Sequence, residues 1–189
     1  MIADALDGEA VQRAVLAARP EAVIHQLTAI PQRINPRTQR RDFELNDRLR
    51  TEGTRILVAA AQQAGASKII AQSIAFVYEP GPPGTLHDEQ DPLVHEPPAS
   101  FKRSAEAVAS LERTVLDANG VVLRYGYFYG PGSAISRTGS FGVDVQRRRL
   151  PIVGSGTGGG TTSTLLTGSL ITAGAAATSR WGAGFSLAA

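Results

Sequence analysis

The chain contains no cysteine. That excludes a disulfide framework, thiolate metal ligands and a cysteine nucleophile. Lysine is almost as scarce: of the 19 basic residues, only Lys68 and Lys102 are not arginine. No apolar run reaches the length of a membrane span. The opening MIADALDGEA lacks a basic stretch followed by an apolar core, so it does not read as a secretory signal. The expected location is therefore cytoplasmic, with no membrane partner. A formal charge of +2 and arginines mixed among Glu and Asp suit a solvated surface and give no basic stripe for nucleic acid. At 189 residues the chain is sized for one domain.

Acidic residues also run out. None follows Asp144, and between 154 and 189 Arg180 is the only charge. Gly, Thr, Ser and Ala dominate there, which leaves little large apolar surface to offset ordering entropy. The chain thus divides into an α/β domain over 1–157 and a low-complexity tail over 158–189, read as irregular or disordered.

The first two thirds alternate helix and strand. GEAVQRAVLAA (8–18) has helical spacing and is stopped by Pro20. AVIHQL (22–27) has strand length. Residues 42–64 read as one long amphipathic helix closed by Gly65. KIIAQSI (68–74) is a second strand, and a Pro/Gly/acid-rich loop runs from Glu79 to about Ser100. Residues 101–118 form a helix ended by Asn119-Gly120, and VVLRY (121–125) is a third strand. This order predicts a mostly parallel sheet with helices on its faces.

Five segments, collinear over residues 3–132, carry a family resemblance. Ala3-Asp4-Ala5-Leu6-Asp7 looks like the end of a third strand. RPEAVIHQLTA (19–29) is similar to "PdvViHlAa". Gly53-Thr54, Ile56-Leu57 and Ala59-Ala60-Ala61 resemble "GTxxLLxAA". KIIAQSIAFVY (68–78) resembles a fifth strand ending "SSxxVYG". LRYGYFYGPG (123–132) is similar to "LRpxnvYGPG". The chain resembles the extended short-chain dehydrogenase/reductase family of NAD-dependent epimerase/dehydratase type. The resemblance implies a partial Rossmann-like, doubly wound parallel sheet and NAD or NADP as cofactor. It also implies a nucleotide sugar or similar small carbonyl compound as substrate. Asp4, with Ala5, would meet adenine, and Leu27, Thr28 and Ala29 would lie along ribose and phosphates. Ser73 and Tyr125 would sit near the cofactor, with Tyr127 and Tyr129 toward substrate. Relatives often pair as homodimers through the helices placed here at 42–64 and 101–118.

The family pattern is incomplete. The glycine turn that cradles pyrophosphate, with its strand-helix-strand unit of roughly 50–60 residues, does not open the chain. The edge left unpaired predicts poor stability and weak nucleotide binding. Gly154, Gly156 and Gly159 spell G-x-G-x-x-G, but a poor helix start and no acid follow. The family's Tyr with Lys four residues later, a spacing that stacks the pair on one helix face, is missing. Pro98 stands four residues before Lys102, and helix 101–118 has no Tyr. Ile74 occupies the position of the usual hydroxyl, one after Ser73, and Arg50 stands where the family usually has Asn. Substitute acid/bases are Tyr127, Tyr129, His25 and Ser73. Each also has a plain reading: packing or substrate contact for the tyrosines, a satisfied strand residue for His25, a local hydrogen bond for Ser73. His87 and His95 with Asp88, Glu89 and Asp91 read as a solvated loop, not a metal site.

Thr162-Ser163-Thr164 can be encoded ACG TCG ACG in GC-rich DNA. One base earlier, after a C, the same bases give His-Val-Asp, the family's next motif. Residues from about Gly158 are therefore expected to come from a shifted frame, against the alternative of a genuine low-complexity tail. Three functional expectations follow: a dehydrogenase-type ancestry with negligible turnover in this chain, a non-catalytic NAD(P)-binding sensor or scaffold, and a chain without function.

Overall fold

The computed structural model describes residues 2–31, 38–82, 85–127, 131, 133 and 136–149. Tyr129, the Gly154–Gly159 run and the whole 158–189 tail lie outside the described residues.

Helix α1 (Gly8–Ala18) starts where Asp7 Oδ1 accepts the Ala10 N–H, and ends at Arg19, which adopts a left-handed φ of 44° before Pro20. Strand β1 (Ala22–His25) follows. It stops two residues short of the expected strand because the Leu27 N–H turns back to His25 Nδ1 (3.3 Å). The single helix expected over 42–64 is in fact a broken series. It comprises α2 (Gln39–Asp42), α3 (Glu44–Arg48), a π-helical turn (Leu49–Gly53) and α4 (Thr54–Gln63). Phe43, with ψ near 0°, separates α2 from α3. Gly65 closes α4 with φ of +76°, and the Ala66 N–H reaches back to the Ala61 carbonyl (3.0 Å).

Strand β2 (Lys68–Ile74), helix α5 (Lys102–Asp117) and strand β3 (Val121–Tyr125) match the sequence expectation within a residue. Between α5 and β3, Asn119 has φ of 56°, and Gly120 packs so tightly that a Cβ there would stand 2.8 Å from the Ile69 carbonyl oxygen. A further helix, α6 (Ser140–Gln146), lies beyond the elements expected from the sequence.

The three strands are parallel in the order β1-β2-β3. Both crossovers step the same way across the sheet, so right-handed connections put their helices on one face. Val23, Ile69, Ala71 and Val122 point to that face and meet Val58, Ala61, Leu111 and Val115 of α4 and α5. Val11 and Val15 of α1 extend the core over Leu57 and Ala60. Alternation sends Ile24, Ile70, Ile74 and Leu123 to the other face. None of the described helices is long and apolar enough to cross a membrane.

Candidate functional site

Parallel strands end together, and here the segments after β1, β2 and β3 converge at one edge. Open α/β sheets bind ligands outside such an edge. Leu27, Thr28 and Ala29 follow β1, Ala75 to Tyr78 follow Ile74 at the end of β2, and Gly126 and Tyr127 follow Tyr125 at the end of β3.

The loop after β1 is held by two buried side chains. His25, only 2 % exposed, accepts the Leu27 N–H at Nδ1 and meets Thr54 Oγ1 at Nε2 (2.8 Å). The Thr54 hydroxyl donates to the Leu49 carbonyl (3.4 Å), so it accepts from His25, which fixes the neutral Nε2–H tautomer. Burial, with the Arg50 charge nearby, lowers the His25 pKa to about 4. Asn46, fully buried on α3, accepts the Ala29 N–H at Oδ1 (3.1 Å). Its Nδ2 has no partner among the described residues.

Beside Asn46 lie two charged groups. Asp47 accepts from Ser104 Oγ of α5 (2.9 Å), and burial pushes its carboxyl upward, opposed by that hydrogen bond and by Arg50 and Arg103. Arg50, 5 % exposed on the π turn, makes no hydrogen bond or ion pair among the described residues; burial lowers its pKa and the Asp47 charge partly restores it. The Asn46–Arg50 cluster was not recognised from sequence. The available signal was a single one, an Arg at a helical position otherwise filled by Asn.

Two of the expected site residues, Asp4 and Ala5, sit at the chain start. Asp4 is exposed, and its Oδ1 accepts the Leu6 N–H (2.9 Å). Ala5 is buried, with its carbonyl 3.7 Å from where a Cβ on Gly53 would lie, which brings this segment against the π turn. Ser73 does not face the open edge. It points to the helix face and donates to Glu112 Oε1 of α5 (2.5 Å). Glu112 also receives two bonds from Arg124 (3.0 and 2.7 Å), and Arg124 donates to Tyr78 Oη (3.0 Å) while lying over the Tyr78 ring. This pairing raises the Arg124 pKa. Tyr78 in turn stacks on His87, which meets Asp91 at 3.0 Å. His87 and Asp91 thus belong to a hydrogen-bonded loop, and no group of ligands for a metal ion occurs among the described residues. Tyr125 closes β3 beside Ile74, and Tyr127, half exposed, packs its ring against Phe76 (4.6 Å between centroids).

Sequence and fold comparisons agree with this arrangement. The sequence model of the "NAD dependent epimerase/dehydratase family" matches residues 1–151. A Streptomyces protein named 3-diazoavenalumate denitrifying reductase is 46 % identical over 160 residues, which is 84 % of this chain and 52 % of that protein. The Thermus thermophilus UDP-glucose 4-epimerase, solved with NAD, superposes with a TM-score of 0.57 at 26 % identity, covering 76 % of this chain and 45 % of the enzyme. Bordetella bronchiseptica WbmG, solved with NAD and UDP, shares the fold with a TM-score of 0.58 at 20 % identity, covering 79 % and 45 %. The chain spans about half the length of the relatives it matches.

Proposed function

The chain belongs to the NAD dependent epimerase/dehydratase family, and from that premise we propose that it is the cofactor-side portion of a nicotinamide-dependent reductase. Its substrate would be a small carbonyl or similarly unsaturated electrophile, with a nucleotide sugar as the other candidate within the family. The observation that carries the reading is the convergence of 27–29, 74–78 and 125–127 at one sheet edge in a chain 46 % identical to a reductase. The Streptomyces relative's name further favours a carboxylated small molecule as substrate.

The residues present suit the group. A buried amide donor without a partner, Asn46 Nδ2, stands beside the loop that would follow the ribose and phosphates. When bound, the nicotinamide supplies or takes up a hydride. His25 and Asn46 hold the Leu27–Ala29 backbone in place, so the cofactor wall is preorganised before binding. Tyr125 and Tyr127, backed by Phe76, would form the nicotinamide and substrate side and exclude water from it. Asp4 and Ala5 would lie at the adenine end, and NAD and NADP both remain candidate cofactors. A cytoplasmic setting and a homodimer through α4 and α5 belong to the same proposal.

One observation favours a second reading, a sensor that binds NAD(P) without chemistry. The sequence has no Tyr-x-x-x-Lys pair, Tyr78 Oη is engaged by Arg124, and Ser73 is engaged by Glu112. The test is to titrate the purified chain with NADH and NADPH by fluorescence, then follow loss of cofactor absorbance with small aromatic diazo and carbonyl compounds. Binding with turnover supports the reductase. Binding without turnover transfers the case to the sensor, and no binding defeats both.

A further inference from the structure

Arg50 and Asn46 stand four residues apart on one helical segment, and among the described residues neither the Arg50 guanidinium nor the buried Asn46 Nδ2 has a hydrogen-bond partner. Arg50 is 5 % exposed as a whole residue, but its guanidinium nitrogens still reach solvent and donate to nothing among the described residues. Asn46 uses its oxygen on Ala29 and leaves Nδ2 without an acceptor. The local carboxylate, Asp47, is engaged by Ser104 and forms no ion pair with Arg50. Buried donors such as Asn46 Nδ2 are nearly always satisfied, and a guanidinium that reaches solvent without a direct anion is free to take one from outside. The chain builds this arrangement on a π turn, a distortion that recurs at functional positions. The cluster also adjoins Ala29, at the edge where ligands bind in such sheets.

We infer that Arg50 and Asn46 Nδ2 form a site for an anionic oxygen, a phosphate or a carboxylate, entering at the loop after β1. The guanidinium supplies charge and a planar pair of N–H donors that match either anion. The amide supplies a further, neutral donor, and its direction is fixed because Oδ1 is held by Ala29. The site takes either a dinucleotide phosphate or a substrate carboxylate. In that sense it deepens the reductase reading, but anion binding is measurable whether or not turnover occurs.

The experiment compares the full chain with Arg50→Met and Arg50→Gln, each checked for folding by circular dichroism. Inorganic pyrophosphate, NADH and 4-hydroxybenzoate serve as probes, with the rise in melting temperature and calorimetric affinity as readouts. The unaltered chain should respond to at least one probe, and both variants should bind it about tenfold more weakly or worse. Loss of pyrophosphate and NADH binding together identifies a dinucleotide phosphate, and loss of 4-hydroxybenzoate binding alone identifies a substrate carboxylate. Should Arg50→Met fail to fold, Arg50→Gln decides. Binding by a folded variant within about twofold of the unaltered chain overturns the inference. So does an unaltered chain that answers none of the three probes.

Discussion

Two charged clusters are buried beneath helix α5, and they are built on opposite plans. Around Glu112 every demand is met. Its carboxylate takes Ser73 and both arms of Arg124, and Arg124 finishes on Tyr78. Around Arg50 the demands are open among the described residues: a cation with no hydrogen bond, an amide nitrogen with no acceptor, and an aspartate held by a serine. A closed network in a low-dielectric interior makes sense as structure, because each member leaves no unpaired charge. An open one makes sense when the missing partner arrives from outside. The comparison teaches that burial alone does not separate structural from functional charge, whereas hydrogen-bond completeness does.

Breaking the closed cluster should give the largest effect. Glu112→Ala leaves Arg124, whose side chain is 19 % exposed, without its anion. Removing one member of such a pair costs about 3–5 kcal/mol, measurable by urea unfolding. A loss below about 1 kcal/mol would show that water already satisfies Arg124.

The next effect concerns His25, which borders the open cluster. Its folded pKa of about 4 lies below the ordinary 6.5. The fold therefore binds the proton less readily than the unfolded chain does. The stability it contributes is full above about pH 6.5 and is lost as pH falls toward 4, by about 3 kcal/mol in all. Asp47, pushed the other way, is protonated more readily in the fold and so offsets part of this loss as the solution becomes more acid. His25→Gln should flatten the pH profile of unfolding free energy in that window. An unchanged profile would mean that His25 is not held neutral.

A smaller change is expected at Ser104. Ser104→Ala removes the hydroxyl from Asp47 and should cost about 1–3 kcal/mol near neutral pH. The cost should shrink as acid protonates Asp47. A cost that grows in acid would contradict the assignment of that bond.

Much of this was legible in the sequence. The periodicities of 8–18, 68–74, 101–118 and 121–125 and the stop signals at Pro20, Gly65 and Asn119-Gly120 are local physics. They reappear in α1, β2, α5 and β3. The family motifs depend on residue order and were equally readable. The break between α2 and α3 and the π turn were not, because an amphipathic repeat constrains which face is apolar and not how each hydrogen bond closes. Ser73 shows the limit at the site. A strand's alternation says that it faces one side, but only the register with β3 and the approach of α5 bring Glu112 to it. Arg50 stood out in the sequence only as a departure from the family's Asn, because the lack of a partner is a property of three-dimensional contacts.

The distinction between the two clusters meets its most direct test in the ligand-free unfolding free energy of Arg50→Met. Replacing a mostly buried arginine that has no ion pair among the described residues with an apolar side chain of similar length should leave stability unchanged or raise it by up to about 2 kcal/mol. A loss of about 2 kcal/mol or more would mean that Arg50 is held by contacts as complete as those of Arg124, and the contrast between a closed and an open cluster would fall.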